Sequence, residues 1–334
     1  MPEINNSWGM IGHSWATDIL RKHIANQRLR HAYLITGPPG VGRRTLALRI
    51  SQSLNCTQPL APGVPCRNCH TCQRIAMMQH PDLSIVEAEE GSRTIKIDQV
   101  RTLQRGIMLA PYEAPYRIAL LLNFEQANPN AANALLKLLE EPPPKVIMLL
   151  TALDTESLLP TIVSRCEQIP LRSLSIEITA QGLETQWDIP AEEAKSLSHI
   201  SGGRPGFAIT LHQNTDIAQQ RTDWLDDHQR MLKANRVARF QYAETIAKDK
   251  IKLDQLLQTW LSLWRDVMLL THDAATPISN IDREEEINRL ATSVDRSTAQ
   301  LVIRQLERAQ SLISKNINAR LTAEVTLLDL PYLR

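Results

Sequence analysis

The sequence carries almost no net charge, because its 37 lysines and arginines nearly balance its 36 aspartates and glutamates. It therefore lacks the global basic field that attracts nucleic acid, and any such contact requires a local patch or a partner. It also lacks a start region that combines basic residues, an apolar core and a cleavage site, and it has no apolar run as long as a membrane span. We expect a cytoplasmic protein without membrane contact.

The length excludes a single small domain. At 334 residues, with 43% apolar and 22% charged residues, the chain can form two or three domains with their own cores.

Cysteine is scarce, with five in all, yet four of them lie in the pattern Cys56-x9-Cys66-x2-Cys69-x2-Cys72. Two-residue gaps let neighbouring thiolates turn onto one Zn²⁺, which takes four ligands at tetrahedral corners. Independent buried or redox cysteines would not cluster so tightly. His70 could replace a cysteine, but four thiolates already complete the shell. We predict a structural zinc module inserted over residues 56–76.

A glycine loop follows an apolar run, Tyr33-Leu-Ile-Thr36, and precedes a predicted helix. The layout Gly37-x-x-Gly40-x-Gly42 suits a phosphate-binding loop, because glycine tolerates positive φ and lets backbone N–H groups approach a phosphate. The alternative, an ordinary Gly-Pro-Pro-Gly turn, is disfavoured by the strand before the loop and the helix after it.

The loop lacks the side chains that catalysis needs. A working loop continues with Lys, which contacts the phosphates, and then Ser or Thr, which binds Mg²⁺. Here Arg43 and Arg44 stand at those positions. The broad guanidinium of Arg43 cannot replace a slim ammonium, Arg44 offers no oxygen, and Thr45 is rotated by roughly 100° along the helix from the metal position.

The second catalytic motif is also incomplete. The predicted buried strand Arg117–Leu122 ends at Asn123, where a nucleotide hydrolase places an acidic residue for the metal's water shell. Asn123 cannot act as a base, and Glu125 lies beyond the strand end. We therefore predict that this chain does not hydrolyse ATP by itself, while both an empty cleft and an ATP held without cleavage are compatible with the sequence.

Helical periodicity predicts the remaining elements. Asp98 is expected to cap one helix, and a second is expected over Asn133 to Glu141, before the prolines that follow. In the C-terminal part the stripe Leu253, Leu257, Trp260, Trp264 and Val267 defines one apolar helix face. The two tryptophans suggest a base-stacking platform, but a core or subunit interface fits their leucine-rich surroundings better.

The glycine loop, the four-cysteine insertion, the run Asn133-Ala-Leu-Leu-Lys-Leu-Leu-Glu-Glu-Pro-Pro and the tripeptide Ser164-Arg165-Cys166 occur in this order. Together they resemble the bacterial clamp-loader branch of the AAA+ family. The resemblance implies an α/β P-loop domain with a parallel sheet and zinc insertion over residues 1–170. A small helical lid over 171–212 and an all-helical collar over 213–334 complete the expected fold.

The resemblance also implies a role for Arg165 as an arginine finger, which reaches into the ATP site of a neighbouring subunit. A guanidinium supplied in trans neutralises the charge that develops on the γ-phosphate. The alternative is a surface arginine in an ion pair. In the lid, family members place an arginine that senses nucleotide, but here Gly206 rather than Arg204 occupies that position.

The resulting hypothesis is a non-hydrolysing subunit of a replication clamp loader. Its implied partners are motor subunits, a clamp-opening subunit and the sliding clamp, with primed DNA contacted through the complex, and any polymerase activity would belong to the assembly. One alternative is an ATP-hydrolysing motor subunit. Another is a free-standing zinc-dependent nucleic-acid-binding module.

Overall fold

The computed structural model describes residues 8–89, 92, 94–272, 276–315 and 317–333. The chain forms two compact units, Met1–Ile189 with Gly203–Phe207, and Pro190–Gly202 with Ala208–Arg334. The three-part division with bounds at residues 170 and 212 is finer and stays a prediction.

The first unit contains a parallel sheet of five strands in the order β2-β3-β4-β1-β5. The strands are β1 (Ala32–Thr36), β2 (Leu83–Val86), β3 (Arg117–Leu121), β4 (Val146–Ala152) and β5 (Glu167–Pro170). The central strands β1 and β4 are buried along their whole length, as continuous apolar runs predict for a sheet covered on both faces.

Helices cover both faces of this sheet because successive strand residues point to opposite sides. On one face Tyr33 and Ile35 pack with residues of α1 (Ser14–Ala25), α2 (Arg43–Asn55) and α3 (His70–Ala76). On the other face Ala32 and Leu34 pack with α4 (Ile97–Ile107), α5 (Pro129–Glu140) and α6 (Pro160–Val163). Helix α7 (Ile176–Trp187) follows β5 in the chain.

Two helix starts differ from the sequence-based predictions. Asp98 lies in the first turn of α4 and does not cap it, because Lys96 is the N-cap and its N–H is bonded by the Gln99 side chain at 2.8 Å. Helix α5 begins at Pro129 rather than Asn133. The Asn128 side chain accepts a hydrogen bond from the N–H of Ala131, and proline is suited to the first helical position.

The second unit is helical in its described residues. Its α-helices are α8 (Ala191–Ile200), α9 (Pro205–Gln213), α10 (Thr215–Lys233), α11 (Arg236–Ile246), α12 (Lys250–Leu270), α13 (Glu284–Ser293), α14 (Arg296–Ser314) and α15 (Ala319–Asp329). The first turn of α9 belongs to the first unit.

The predicted stripe on α12 lies in the core of this unit, since its five residues are all buried. The indole N–H of Trp260 donates to the carbonyl of Trp224, and that of Trp264 donates to Nε2 of His228, each at 2.8 Å. The core interpretation of the tryptophan pair is therefore confirmed, and a base-stacking platform is excluded for these two side chains.

Candidate functional site

The glycine loop joins β1 to α2 in a left-handed conformation, with φ of 145° at Gly37, 81° at Gly40 and 110° at Gly42. Gly40 also has no room for a side chain, because a Cβ there would lie 2.7 Å from Cβ of Phe207. The N–H of Gly206 donates to the carbonyl of Gly40 at 2.8 Å. The segment Gly203–Phe207 of the same unit therefore packs against the loop. This segment contains Gly206, the position at which the family resemblance implies a nucleotide-sensing arginine.

Arg43 folds inward from the first turn of α2 and is only 8% exposed. Its Nη2 donates to Oδ1 of Asn123 at 3.1 Å. Asn123 adopts φ 48° just after β3, and its N–H donates to the hydroxyl of Thr151 at 2.8 Å. The two incomplete motifs are thus joined directly by a side-chain hydrogen bond, which places a guanidinium beside the strand end.

Glu125 lies near this guanidinium, in a short 3-10 helix over Phe124–Gln126. Burial raises its pKa, and the charge of Arg43 opposes that shift. Burial likewise lowers the pKa of Arg43, and Glu125 opposes it. Within the described part of the chain, Oε2 of Glu125 and Nη1 of Arg43 are buried without a hydrogen-bond partner, so the two groups interact through space rather than as a closed ion pair.

Arg44 and Thr45, the next two residues of α2, are both exposed. That Thr45 is rotated from the metal position stays a prediction. In the sequence, Glu125 follows the strand end, and this position predicts no part for it in the site. The left-handed turn at Asn123 brings it back toward Arg43, and no spacing rule signals that turn.

The four clustered cysteines converge on one point, with sulfurs that all lie within 4.8 Å of one another. The Sγ atom of Cys56 is 3.5 Å from that of Cys66 and 3.9 Å from that of Cys69. A tetrahedral zinc with Zn–S bonds of about 2.3 Å requires sulfurs about 3.8 Å apart, so the cluster fits this metal. The backbone N–H groups of Cys66 and Cys69 donate to Sγ of Cys56 and Cys66, respectively.

The cluster is tied to the core by α2 and carries cations beside it. The Gln52 side chain, itself buried, donates to the carbonyl of Cys72 at 2.6 Å. Arg67 lies between Cys66 and Cys69 in the sequence. Burial lowers the pKa of Arg49, the charge of Arg67 lowers it further, and the charge of Cys72 raises it. A zinc held by four thiolates would have a net negative charge, which cations at Arg49 and Arg67 would offset.

Arg165 follows α6 and is 35% exposed. Its Nη2 donates to Oε1 of Glu140 at 2.8 Å, and its Nη1 donates to the carbonyl of Thr161 at 2.9 Å. The ion pair named as the alternative is therefore present, and it leaves part of the guanidinium at the surface. Burial raises the pKa of the adjacent Cys166 thiol to about 12, and this partly buried side chain packs against the core of the first unit.

The parallel sheet, the glycine loop between β1 and α2 and the strand order define a P-loop protein of the AAA+ class. The family described as DNA polymerase III, delta subunit, matches residues 12–175. DNA polymerase III subunit delta′ of Pseudomonas aeruginosa is 37% identical over 250 residues, which cover 73% of this chain and 74% of that protein. The subunit delta′ of Bacillus subtilis is 29% identical over 307 residues, covering 90% and 91%.

A solved structure of a DNA polymerase III gamma subunit-related protein from Thermotoga maritima covers 93% of this chain and 97% of its own, with 18% identity and a TM-score of 0.46. On the sequence matches, the chain belongs to the DNA polymerase III subunit delta′ family of clamp-loader proteins. Across the described residues, no helix is both long and apolar enough to cross a bilayer.

Proposed function

We propose that this chain is a non-hydrolysing subunit of the replicative clamp loader in the DNA polymerase III holoenzyme. In this role it lends Arg165 to the ATP site of a neighbouring subunit and helps to place the sliding clamp on primed DNA. The cysteine cluster holds a structural zinc, and the protein acts in the cytoplasm. Its partners are the motor subunits, the clamp-opening subunit and the clamp.

The observation that carries the proposal is the hydrogen bond between Arg43 and Asn123. Phosphoryl transfer needs a phosphate-binding cation, a metal-binding hydroxyl and an acidic strand end in one cleft. Here the cation position is tied to an amide at the strand end, and Thr45 is exposed. A buried guanidinium beside Asn123 disfavours a divalent cation at that place, because like charges repel strongly where water is excluded.

Arg165 must be accessible at the surface, in contrast to the buried Arg43, because an arginine finger has to reach a second protein. Its backbone is held by a hydrogen bond from its N–H to the carbonyl of Ile162 at 3.1 Å, while part of its guanidinium stays exposed. A delocalised cation that always carries its charge is suited to a developing phosphate charge.

A surface in the second unit supports assembly. Helix α15 exposes Leu321, Val325 and Leu328, which recur on one helix face, and the adjoining α11 exposes Val237 and Phe240. Contiguous exposed apolar side chains of this kind mark protein–protein contacts. We propose that they pack against the helical domain of a neighbouring loader subunit.

The decisive experiment mixes this chain with motor and clamp-opening subunits and measures clamp- and DNA-stimulated ATPase. R165A is expected to leave assembly intact and to lower the rate at least about tenfold, because fingers of this kind contribute large factors to turnover. Arg172, exposed in the same unit, provides the control variant R172A, for which no change is expected. Wild-type turnover in the R165A complex would remove the proposed function.

The two alternatives make different predictions for the isolated chain. An isolated motor subunit hydrolyses ATP in the presence of Mg²⁺, and it loses that activity when Arg43 is changed. A free-standing nucleic-acid-binding module binds primed DNA alone with a steep salt dependence. The proposal expects neither result.

A further inference from the structure

The contacts of Arg165 involve an acidic residue from another helix, Glu140. We infer that Glu140 is a positioning residue for Arg165, which holds the guanidinium in the orientation from which it enters the neighbouring ATP site. This inference rests on the proposed function of Arg165 as a finger in trans.

The backbone at Arg165 is already fixed by its neighbours. Its N–H bonds to Ile162 on one side, and Cys166 on the other packs against the core of the first unit. The remaining freedom therefore lies in the torsions of the long arginine side chain. A finger that samples many rotamers reaches a neighbour's phosphate only part of the time.

Hydrogen bonds remove this freedom at the guanidinium itself. Nη2 donates to the Glu140 carboxylate and Nη1 donates to the carbonyl of Thr161, within 2.9 Å in both cases, and Nη1 also donates to the Ser164 hydroxyl at 3.5 Å. A planar guanidinium fixed through both terminal nitrogens has a defined plane, and its other N–H groups remain available to a phosphate. The arrangement is preorganised before any partner is present.

The stability of helix α5 does not explain an acidic residue at position 140. Glu140 is the last residue of α5, at the negative end of the helix dipole, and is followed by Glu141. Acidic side chains are disfavoured at this end of a helix. The positive charge of Arg165 offsets the unfavourable interaction of Glu140 with the helix dipole. The ion pair with Arg165 therefore accounts for an acidic residue here, and the stability of the helix does not.

Fold stability does not explain the pair either. The two side chains are 35% and 52% exposed, and ion pairs this open add little to folding. We therefore expect the consequence of losing Glu140 to appear in turnover by the assembled complex, with little effect on folding or assembly.

The test uses the reconstituted complex with E140Q, which keeps the shape of the side chain and removes its charge. Clamp- and DNA-stimulated kcat should fall about two- to fivefold, within the range expected when one exposed charge pair is lost. KM for ATP should stay unchanged, since ATP binds to another subunit. E140D should recover part of the rate, and E141Q, the matched neighbour, should behave as the wild type.

The double variant E140Q/R165A separates positioning from an independent effect. If Glu140 acts through Arg165, the double variant has the same rate as R165A. An additional loss in the double variant, or a wild-type or raised rate in E140Q while R165A is impaired, would overturn the inference and leave the proposed function standing. Wild-type turnover by R165A would instead remove the proposed function itself.

A second readout needs no complex. In the isolated chain, NMR of the Arg165 guanidinium should show hindered rotation of its Nη groups, because both are hydrogen-bonded. For Nη2 this signature should be lost in E140A, which has no side-chain acceptor, and retained in E141A. Free rotation of Nη2 in the wild type, or hindrance at Nη2 that persists in E140A, would contradict positioning by Glu140 whatever the outcome of the ATPase assay.

Discussion

Replacement of Arg239 is expected to be among the most destabilising single changes in the second unit. Arg239 lies on α11, is 5% exposed, and directs all of its N–H groups at backbone carbonyls. Nε donates to Met231, Nη1 donates to Leu327 and Leu330, and Nη2 donates to Leu232 and Pro331. These carbonyls lie at or just after the C-terminal ends of α10 and α15, where a helix attracts a cation, and those of Met231 and Leu232 also accept the N–H groups of Ala234 and Leu333.

The magnitude follows from the number of bonds. R239M removes all of these donors and leaves the carbonyls of Leu327 and Leu330, which belong to buried residues, without the guanidinium, which should cost about 3–5 kcal/mol of unfolding free energy. R239K keeps the charge but supplies at most three donors, so we expect a loss of about 2 kcal/mol. Both losses are large against the roughly 5–15 kcal/mol that stabilises a typical domain.

The assay is urea unfolding followed by tryptophan fluorescence, since Trp260 and Trp264 are buried in the core of the same unit. R236M is the control, because Arg236 is exposed on the same helix and should change stability by less than about 0.5 kcal/mol. An R239M midpoint equal to that of R236M would refute the assignment of these bonds to stability. R239K as stable as the wild type would show that charge alone is sufficient.

Three further results are expected. Burial lowers the pKa of His228 to about 3 from 6.5, so its contribution to stability is present above pH 6.5 and is lost as the pH falls, by about 2 kcal/mol at pH 5. This dependence of the unfolding free energy on pH should be weaker in H228Q, which keeps an acceptor for Trp264, and an unchanged dependence in urea titrations would contradict it. Elemental analysis should find about one zinc per chain and far less in C69S, whereas free thiols without metal in the purified wild type would remove the zinc site. L321D should weaken assembly with loader subunits without unfolding the chain, unlike the control L301D on α14; equal effects of both would place the interface elsewhere.

The sheet and its helices could be predicted from the sequence because their signals are local. Buried parallel strands appear as continuous apolar runs, as at β4, and the α12 stripe follows the helical period. The cysteine cluster was predictable for a related reason. Ligands separated by two residues must lie close together in any compact loop, and the sulfurs do converge.

The remaining features depend on contacts between distant residues, which no spacing rule contains. Asp98 was expected to cap α4, but Gln99 bonds the N–H of Lys96 instead. The pairing of Arg43 with Asn123 depends on the left-handed turn after β3, and the pairing of Arg165 with Glu140 joins the ends of two helices. In each case the residue types permit several partners, and the backbone path selects one.

Arg43 and Arg165 carry the same side chain in different surroundings. Arg43 is buried, bonded to Asn123 and near Glu125. Arg165 is paired with Glu140 and stays partly exposed, as its proposed role in the ATP site of another subunit requires. A guanidinium is bulky, permanently charged and able to form several directed bonds, and these properties disfavour a metal in one setting and favour phosphate contact in the other. The proposed loss of hydrolysis therefore follows from the contact of Arg43 with Asn123, and the proposed role of Arg165 in a neighbouring subunit follows from its contacts with Glu140 and Thr161 at the surface.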